Sequence, residues 1–353
     1  MTEAADSTEA LLRETAARVF ADHTEARMLA ALEDGTWPLA AWNAVSEAGL
    51  HRALVPEAAG GYGVSVPAAL SILRVAGEYA LPLPLAETML GSWLLGRAGI
   101  EIPEGALTVA PVMGDETLSL TREGTAWRLY GSARRVPWGR HAVAAVVVSD
   151  YEGAGHVALI TRDNWTVETG ENVAREPRDT LTFEGVVAAA APLPITAADL
   201  RMAGAAARTQ QMAGGLMRLT AMTTQYALDR TQFGRPIGKF QAIQQSMAVL
   251  AGQTAAACAA ADIAAEAVGE TMNMLPIAAG KARAGEAASI GAGIAHQVHG
   301  AIGFTFEHSL HFTTKRLWSW RDEFGNDASW QRTLGRHMAG VGGHDSWAAI
   351  TAA

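Results

Sequence analysis

The stretch Arg230-Thr-Gln-Phe-Gly-Arg-Pro-Ile-Gly-Lys-Phe-Gln-Ala-Ile-Gln-Gln245 separates two long helical patterns and decides how the second half of the sequence folds. Gly234 and Pro236 predict that the first helix ends near Asp229, because proline has no N–H donor and glycine relaxes the backbone. A second helix is expected to begin near Lys239. The sequence therefore predicts a loop between two helices here.

The two arginines of this loop, Arg230 and Arg235, are candidates for an anion site. A planar guanidinium at a helix end can hold a diphosphate through two parallel hydrogen bonds. The alternative is that both arginines cap helix ends or form weak surface ion pairs. Beyond the loop, Phe240, Ile243 and Leu250 recur at helical spacing and predict an apolar stripe on the second helix.

Outside this loop the sequence changes its pattern twice. Residues 8 to about 100 show helical spacing, residues 105 to 190 show short runs with period-two alternation, and helical spacing returns from residue 197. This order predicts an α+β fold. The expected domains are an N-terminal helical domain (1–103), a middle β-domain (104–192) and a C-terminal helical domain (193–353).

The composition argues against several classes of protein. A chain of 353 residues with a formal net charge of −9 lacks the basic patch that a nucleic-acid partner requires. We expect no transmembrane helix, because no window of about 18 uncharged apolar residues stands out. The acidic N-terminus has no signal-peptide pattern, so a cytoplasmic location is expected. Cys258 is the single cysteine and is expected to be a packing residue, and no metal site is predicted.

Two motifs in the C-terminal half resemble those of a known enzyme family. The first is Arg-x-Gln-Phe-Gly-x-Pro-Ile-x-x-Phe-Gln, beginning at Arg230, and the second is Gln297-Val-His-Gly-Ala-Ile-Gly-Phe-Thr-Phe-Glu307. They resemble motifs of the acyl-CoA dehydrogenases, flavoenzymes that oxidise the α,β carbons of acyl-CoA thioesters. The family also has helices, then strands, then a C-terminal four-helix bundle, so the resemblance spans nearly the whole chain.

The resemblance implies a set of FAD contacts. In that family both motifs reach across a subunit interface and hold the pyrophosphate and adenosine end of the neighbouring subunit's FAD. For the pyrophosphate end, the resemblance implies Arg230, Gln232 and Phe233, with Phe240 and Gln241 nearby. For the adenosine end, it implies Gln297, Gly300 and Ala301, the last replacing the family's second glycine.

The β-domain departs from the family where the family contacts the subunit's own flavin ring. The family's first flavin loop reads roughly Thr-Glu-Pro-x-x-Gly-Ser-Asp, whereas this chain has Val109-Ala-Pro-Val-Met-Gly-Asp-Glu116. In the second flavin loop, Arg135 stands at the aromatic position and Pro137 at the hydroxyl position. Proline has no N–H, so Pro137 cannot replace the lost donor.

The family's catalytic glutamate, which removes the α-proton of the thioester, is also missing. The resemblance places this base at Gly325 or at Gly204, and neither glycine can accept a proton. Asp322, Glu323 and Asp327 are nearby carboxylates and weak substitutes. Asp327 and the asparagine before it are more simply explained as the N-cap of the following helix.

The resemblance therefore implies a chain that completes a partner's FAD site and lacks a base of its own. It resembles the non-catalytic subunits of actinobacterial heterotetrameric acyl-CoA dehydrogenases that act on steroid side-chain thioesters. The implied partners are a homologous catalytic subunit, an acyl-CoA and an electron-transferring flavoprotein. Two alternatives are a self-sufficient homotetramer with a relocated carboxylate base and a non-enzymatic scaffold of the same fold.

Three further residues carry expectations of their own. Trp318 and Trp320 are expected either to pack in the core or to anchor a subunit interface, since buried aromatic residues dominate such contacts. His299 has no carboxylate or nucleophile paired with it in the sequence. We therefore expect it to be a hydrogen-bonded core or interface residue rather than an acid or base.

Overall fold

The computed structural model describes residues 2–32 and 35–351, and within them the side chains other than those of residues 2–7, 27, 31 and 32. The helices are α1 (Thr2–Ala21), α2 (Ala26–Leu32), α3 (Leu39–Glu47), α4 (Val66–Glu78), α5 (Leu85–Arg97), α6 (Ala197–Asp229), α7 (Gln241–Glu266), α8 (Met274–His299), α9 (Leu310–Asp322), α10 (Asp327–Val341) and α11 (Ser346–Thr351). The strands are β1 (Leu107–Ala110), β2 (Ser119–Glu123), β3 (Ala126–Pro137), β4 (Ala144–Tyr151), β5 (Ala154–Thr161), β6 (Trp165–Glu168), β7 (Arg178–Val186), β8 (Ala189–Pro192), β9 (Thr231–Gln232) and β10 (Arg235–Pro236).

The predicted order of helices, strands and helices is confirmed. Eight strands follow the first helices, and long helices resume at α6. By packing, the chain forms two compact units, residues 1–72 with 81–204 and residues 73–80 with 205–353. The three predicted domains, with boundaries at residues 103 and 192, stay a prediction.

Two four-stranded sheets make up the strand region of the first unit. One has the order β1-β4-β5-β8, with β1 parallel to β4, and the other is the antiparallel sheet β2-β3-β7-β6. β4 is buried from Ala144 to Ser149, as is typical of an apolar strand covered on both faces. A bulge in β3 at Arg134 and Arg135 shifts its register against β7.

Helices α6, α7, α8 and α9 supply the core of the second unit. Its buried side chains include Leu216, Leu250, Ala288, Leu317 and Trp320. Leu250 is buried, which confirms this residue of the apolar stripe predicted on α7. Phe240 and Ile243 are half-buried against Ile237 and Val298 in a smaller apolar cluster.

The second half of α4 crosses α6 at backbone contact. A Cβ atom added at Gly214 would lie 1.8 Å from the carbonyl oxygen of Arg74, and one added at Gly77 would lie 2.0 Å from that of Gln211. Since Cβ atoms do not approach carbonyl oxygens so closely, both positions require glycine. The buried Arg74 side chain also pairs with Asp262 on α7, which ties three helices together.

Trp320 packs in the core, which was one of the two roles expected for it. Its side chain is only 2% exposed and lies in the core of its own unit, on the same face of α9 as Leu317. Trp318 points to another face, is half-buried, and stacks on His296 with ring centroids 5.7 Å apart. An interface role stays a prediction for Trp318 alone.

Helix α7 bears on the expectation that no segment spans a membrane. By length and composition it is apolar enough to do so, a test that the core helix of a globular bundle also passes. Only 28% of its most apolar window is buried. The other residues of α7 are half-buried or exposed, and the expectation that no segment spans a membrane stays a prediction.

Candidate functional site

A cavity of about 730 Å³ opens in the second unit beside the ends of α6 and α8. Two segments whose first residues are 67 positions apart in the sequence meet there, and the volume is typical of a small-molecule site. Of the eight residues that were predicted to contact FAD, seven line this cavity: Arg230, Gln232, Phe233, Phe240, Gln297, Gly300 and Ala301. The eighth, Gln241, is not among the lining residues.

A tight hairpin forms the loop between α6 and α7. β9 pairs with β10 in antiparallel register, and Phe233 and Gly234 between them have φ angles of 51° and 79°. Two positive φ values are what a two-residue hairpin turn requires. The backbone N–H of Ile237 donates to the Arg230 carbonyl at 2.8 Å and closes the base of the hairpin. The helix interruption is confirmed, whereas the hairpin itself was not predicted.

The two arginines of the loop have different surroundings. Arg230 lines the cavity and, among the residues that the structure describes, makes no ion pair with a carboxylate. Arg235 does not line the cavity, and its guanidinium lies 4.3 Å from the centroid of the Phe240 ring. Arg230 is thus the arginine placed to bind an anion. Arg235 stabilises the hairpin by a cation–π contact.

Tyr226 and His299 form part of the cavity wall. The sequence analysis did not predict that these two residues lie together. Their rings stack with centroids 4.3 Å apart, and the Tyr226 hydroxyl donates to the His299 carbonyl at 3.2 Å. Tyr226 lies one helical turn before Arg230, so the i, i+4 spacing was the available signal. The contact joins the end of α6 to the last turn of α8, the two elements that frame the cavity.

His299 is buried in the wall of the cavity. Burial lowers the pKa of His299, with a smaller effect in the same direction from His308. Its Nδ1 lies 2.8 Å from the Ala295 carbonyl, so Nδ1 carries the hydrogen. The expectation of a hydrogen-bonded core residue is confirmed.

Three exposed aromatic residues lie in the two motifs, and one of them, Phe233, lines the cavity. Phe233, Phe304 and Phe306 are 91%, 73% and 81% exposed. Phe304 stacks on His296 at 4.5 Å, so its orientation is fixed although its outer surface is uncovered. Large aromatic groups exposed together are typical of a surface that a partner or ligand covers.

Two domain families match this chain. "Acyl-CoA dehydrogenase, C-terminal domain" matches residues 200–335, and "Acyl-CoA dehydrogenase, N-terminal domain" matches residues 6–102. The chain belongs to the acyl-CoA dehydrogenase family. The resemblance inferred from the two motifs is thereby confirmed, and the C-terminal match includes every residue of the cavity.

Relatives cover most of the chain. It is 29% identical to acyl-CoA dehydrogenase IpdE2 of Mycobacterium tuberculosis over 329 residues, with 87% of this chain and 89% of that protein covered. It is 27% identical to acyl-CoA dehydrogenase FadE27 of the same organism over 326 residues, with 84% and 87% covered.

Solved structures share the acyl-CoA dehydrogenase fold. A steroid ACAD variant, Tcur3481-Tcur3483, has a TM-score of 0.85 at 24% identity, with 95% of this chain and 98% of that chain covered. The ChsE4-ChsE5 complex from Mycobacterium tuberculosis has a TM-score of 0.83 at 24% identity, with 96% and 98% covered.

Two of the three carboxylates considered as a relocated acyl-CoA dehydrogenase base pair with arginines. Asp322 pairs with the adjacent Arg321 at 2.9 Å near the surface. Glu323 is buried, with its Oε2 atom 2.7 Å from Nε of Arg208. Neither of these carboxylates, nor Asp327, lines the cavity.

Buried contacts hold the loop at Gly325, where the resemblance predicts the position of the family's base. Nζ of Lys281 donates to the carbonyl oxygens of Arg321 and Gly325 at 2.5 and 2.8 Å. Burial lowers the pKa of Lys281 to about 7, although Glu323 nearby acts in the opposite direction. At the end of the loop, Asn326 caps α10 as predicted. The loop is therefore fixed by contacts within the chain.

The segment that aligns with the family's first flavin loop is closed by its own acidic residues. The Glu116 carboxylate, 3% exposed, accepts from the backbone N–H of Met113 at 3.3 Å and of Arg134 at 2.6 Å. Asp115 pairs with the Arg134 guanidinium at 2.9 Å, and this hydrogen bond holds the pKa of Asp115 below its usual range. Sequence reasoning missed these contacts, because they join a loop to a strand that folds back beside it.

Proposed function

We propose that this chain is a subunit of an FAD-dependent acyl-CoA dehydrogenase and completes the FAD site of a homologous catalytic partner. The proposal rests on a contrast between two sites of this chain. The cavity beside Arg230 is open and has a guanidinium without a carboxylate partner among the described residues. The segment that aligns with the chain's own flavin loop is occupied by the Glu116 carboxylate.

The residues at the cavity fit the pyrophosphate and adenosine end of FAD. Arg230 supplies the positive charge that a diphosphate requires, and Gln232 and Gln297 add amide groups. A Cβ atom at Gly300 would meet nothing within 4 Å, so the backbone there leaves room for a close ligand. When bound, FAD accepts the hydride that the acyl-CoA loses. In this proposal Arg230 and the two glutamines bind and orient the cofactor.

The residues of the first unit do not fit a flavin ring in the same way. The N–H groups of Met113 and Arg134 both donate to Glu116, and Pro137 has no N–H to offer. A flavin ring held here would have to displace a buried carboxylate from two backbone donors and a guanidinium. Such charge-assisted hydrogen bonds are among the stronger ones in proteins. The partner therefore holds the flavin ring.

The partner also supplies the catalytic base. Gly204 and Gly325 stand where the family carries its glutamate, and a glycine cannot remove the α-proton of a thioester. The buried ion pair between Glu323 and Arg208 argues against the alternative of a self-sufficient homotetramer. Arg230 argues against the second alternative, a scaffold that takes no part in flavin binding. Its side chain lines the cavity and has no carboxylate partner among the described residues.

The substrate, the electron acceptor and the location follow from the same proposal. The mixed enzyme performs α,β-dehydrogenation of an acyl-CoA in the cytoplasm and passes electrons to an electron-transferring flavoprotein. The heterotetramer consists of two such chains and two catalytic chains. A bulky steroid-derived acyl group is the favoured substrate, because a structure of the same fold is a steroid ACAD.

Substitution of Arg230 tests the proposal in a complex of this chain with a catalytic acyl-CoA dehydrogenase from the same organism. Arg230→Ala removes the charge that faces the diphosphate, so FAD affinity of the mixed complex is expected to fall by roughly 10- to 100-fold, as loss of a charge-assisted contact predicts. The measurement is FAD per complex after gel filtration, with a fluorescence titration of added FAD.

Arg218→Ala is the matched control, because Arg218 is an exposed arginine of α6 that does not line the cavity. It is expected to leave the FAD content unchanged. Equal FAD content in the wild type, Arg230→Ala and Arg218→Ala complexes would contradict the half-site and favour the scaffold.

A further inference from the structure

Four of the ten histidines lie around the second motif of the C-terminal half. They are His296 and His299 in the last turn of α8, His308 in the loop before α9, and His311 in the first turn of α9. The segment between the two pairs contributes residues 300–302 to the wall of the cavity. The histidines thus stand at both ends of a segment that shapes the cavity.

His308 makes three contacts that join this segment to its surroundings. Its Nδ1 atom accepts a hydrogen bond from the backbone N–H of Leu310, the first residue of α9, at 3.1 Å. Its carbonyl oxygen accepts from Nδ1 of His311 at 2.7 Å. Its ring meets the ring of His299 edge to face, with centroids 4.7 Å apart. His308 therefore connects the start of α9 with the wall of the cavity.

The contact between His308 and Leu310 requires a neutral imidazole. Only a ring nitrogen without a hydrogen can accept, and in the imidazolium form both ring nitrogens carry one. Protonation would place the N–H of His308 against the N–H of Leu310, which is one of the N–H groups that the first turn of a helix leaves unsatisfied. It would also place a positive charge at the N-terminus of α9, where the helix dipole disfavours it. Acid therefore weakens the attachment of His308 to α9 in two ways.

The described groups around His308 do not favour a positive charge there. Burial lowers the pKa of His308, with a smaller effect in the same direction from His311. His296 and His299 can likewise add only positive charge. Glu307 is the adjacent carboxylate, but it is exposed, so water screens its attraction. Other side chains at this place are the uncharged Phe240, Ile243 and Met247 of α7, the phenol of Tyr226, and the cationic Arg230, Lys315 and Arg316.

We propose that His308 is a pH-sensitive switch that holds the segment 300–308 closed against α9 and the cavity wall while its ring is neutral, and lets the segment open when Nδ1 is protonated. In the open form His308 meets water, where imidazole titrates near pH 6.5. The closed form is thus fully stable above about pH 6.5 and loses stability as the pH falls through that value. The switch belongs to this chain and stands whether or not the cavity binds flavin.

Hydrogen exchange of the chain purified alone tests the switch. Peptides that cover 300–312 are compared by mass spectrometry at about pH 7.5 and about pH 5.5, with labelling times scaled for the intrinsic pH dependence of amide exchange. At the lower pH an imidazole in water is protonated about ten times more often than neutral, so the protection of these peptides is expected to fall by roughly 3- to 10-fold.

The loss is expected to be local. Peptides from α5, which is buried over most of its length, are expected to keep their protection at both pH values. Equal protection of 300–312 at the two pH values would overturn the proposal. An equal loss in 300–312 and in α5 would also overturn it, because the whole chain would then be opening. This comparison uses the wild type and does not depend on the folding of any variant.

His308→Asn keeps an acceptor but cannot titrate. An asparagine side chain readily accepts from the backbone N–H two residues further on, which is the position of Leu310. In this variant the loss of protection at low pH is expected to be less than about twofold. His344→Asn is the matched control, because His344 is exposed in the turn before α11, and it is expected to keep the full loss. A loss in His308→Asn equal to that of the wild type would overturn the proposal.

A titration of FAD extends the test to the cavity, and this part alone rests on the proposed function. FAD affinity of the mixed complex is expected to fall more steeply between about pH 7.5 and about pH 5.5 in the wild type than in His308→Asn, by roughly 3- to 10-fold. Equal pH dependence in the two complexes would overturn the link between the switch and the cavity. A mixed complex that binds no FAD would contradict the proposed function, whereas the exchange experiment on the chain alone would still decide the switch.

Discussion

Tyr226 links the two segments that frame the cavity through one hydroxyl group. Tyr226→Phe keeps the ring that stacks on His299 but removes the donor to its carbonyl, which lies at the end of α8. A typical hydrogen bond contributes about 0.5–1.5 kcal/mol, so FAD affinity of the mixed complex is expected to fall roughly 2- to 12-fold. FAD titration measures this, with the exposed Tyr130→Phe as control. Unchanged affinity would show that the contact does not position the cavity wall.

Lys281 links stability to pH. The pKa of Lys281 is about 7 in the folded chain and near 10.5 when unfolded. Between these values the unfolded chain binds the proton and the folded chain does not, so the free energy of unfolding rises with pH across this window. Below pH 7 Lys281 is charged in the folded chain as well, so the folded state bears the full free-energy cost of burying this charge. The rise is on the order of a few kcal/mol.

Lys281→Met removes this titration and is expected to flatten the pH dependence of stability. Urea unfolding from about pH 6 to about pH 9.5 measures it. The informative quantity is the slope of the free energy of unfolding against pH, compared between wild type and variant. The other titrating groups are common to both proteins, so a difference in this slope reports on Lys281. Equal slopes in the two proteins would contradict a depressed pKa for Lys281.

At the scale of elements, the crossing of α4 and α6 depends on glycine. Gly214→Ala places a Cβ atom 1.8 Å from the Arg74 carbonyl oxygen, so the helices must separate. The expected cost is about 1–3 kcal/mol or more, read as a lower melting temperature. Gly335→Ala in α10 is the matched control, because its Cβ atom would meet nothing within 4 Å. It is expected to raise stability slightly. Equal effects of the two substitutions would contradict the close crossing.

The sequence predicted those structural features that depend only on residues nearby in the chain. The glycine and proline residues after Asp229 end α6, and Asn326 caps α10, because backbone geometry and capping act within a few residues. Contacts between distant segments were not predictable in the same way. The burial of Trp320 depends on which face of α9 meets α6 and α8, and Glu116 meets Arg134 only because β3 folds back beside its loop.

The candidate site was predicted from two family motifs, and composition and periodicity alone would not have predicted it. Composition and periodicity indicated a loop with two arginines, and only the family resemblance connected it to Gln297 and Gly300. The structure brings these residues to one cavity. Periodicity could not have distinguished Arg230 from Arg235, because their difference lies in tertiary surroundings: one guanidinium lines the cavity and the other stacks on Phe240.

At the level of the whole molecule, the proposed enzyme is asymmetric. In this proposal the chain would contribute the diphosphate end of an FAD site, and its partner would contribute the flavin ring site and the base. An enzyme of two such chains and two catalytic chains would then hold half as many FAD molecules as chains. A symmetric acyl-CoA dehydrogenase would hold one FAD in every chain.

The ratio of FAD to chain is the most direct test of this claim. It is measured by absorbance and native mass spectrometry on the chain purified alone and on the mixed complex with a catalytic acyl-CoA dehydrogenase. The chain alone is expected to carry no FAD, and the mixed complex is expected to carry one FAD for every two chains. One FAD per chain in a pure homotetramer would contradict the account and require a catalytic base within this chain.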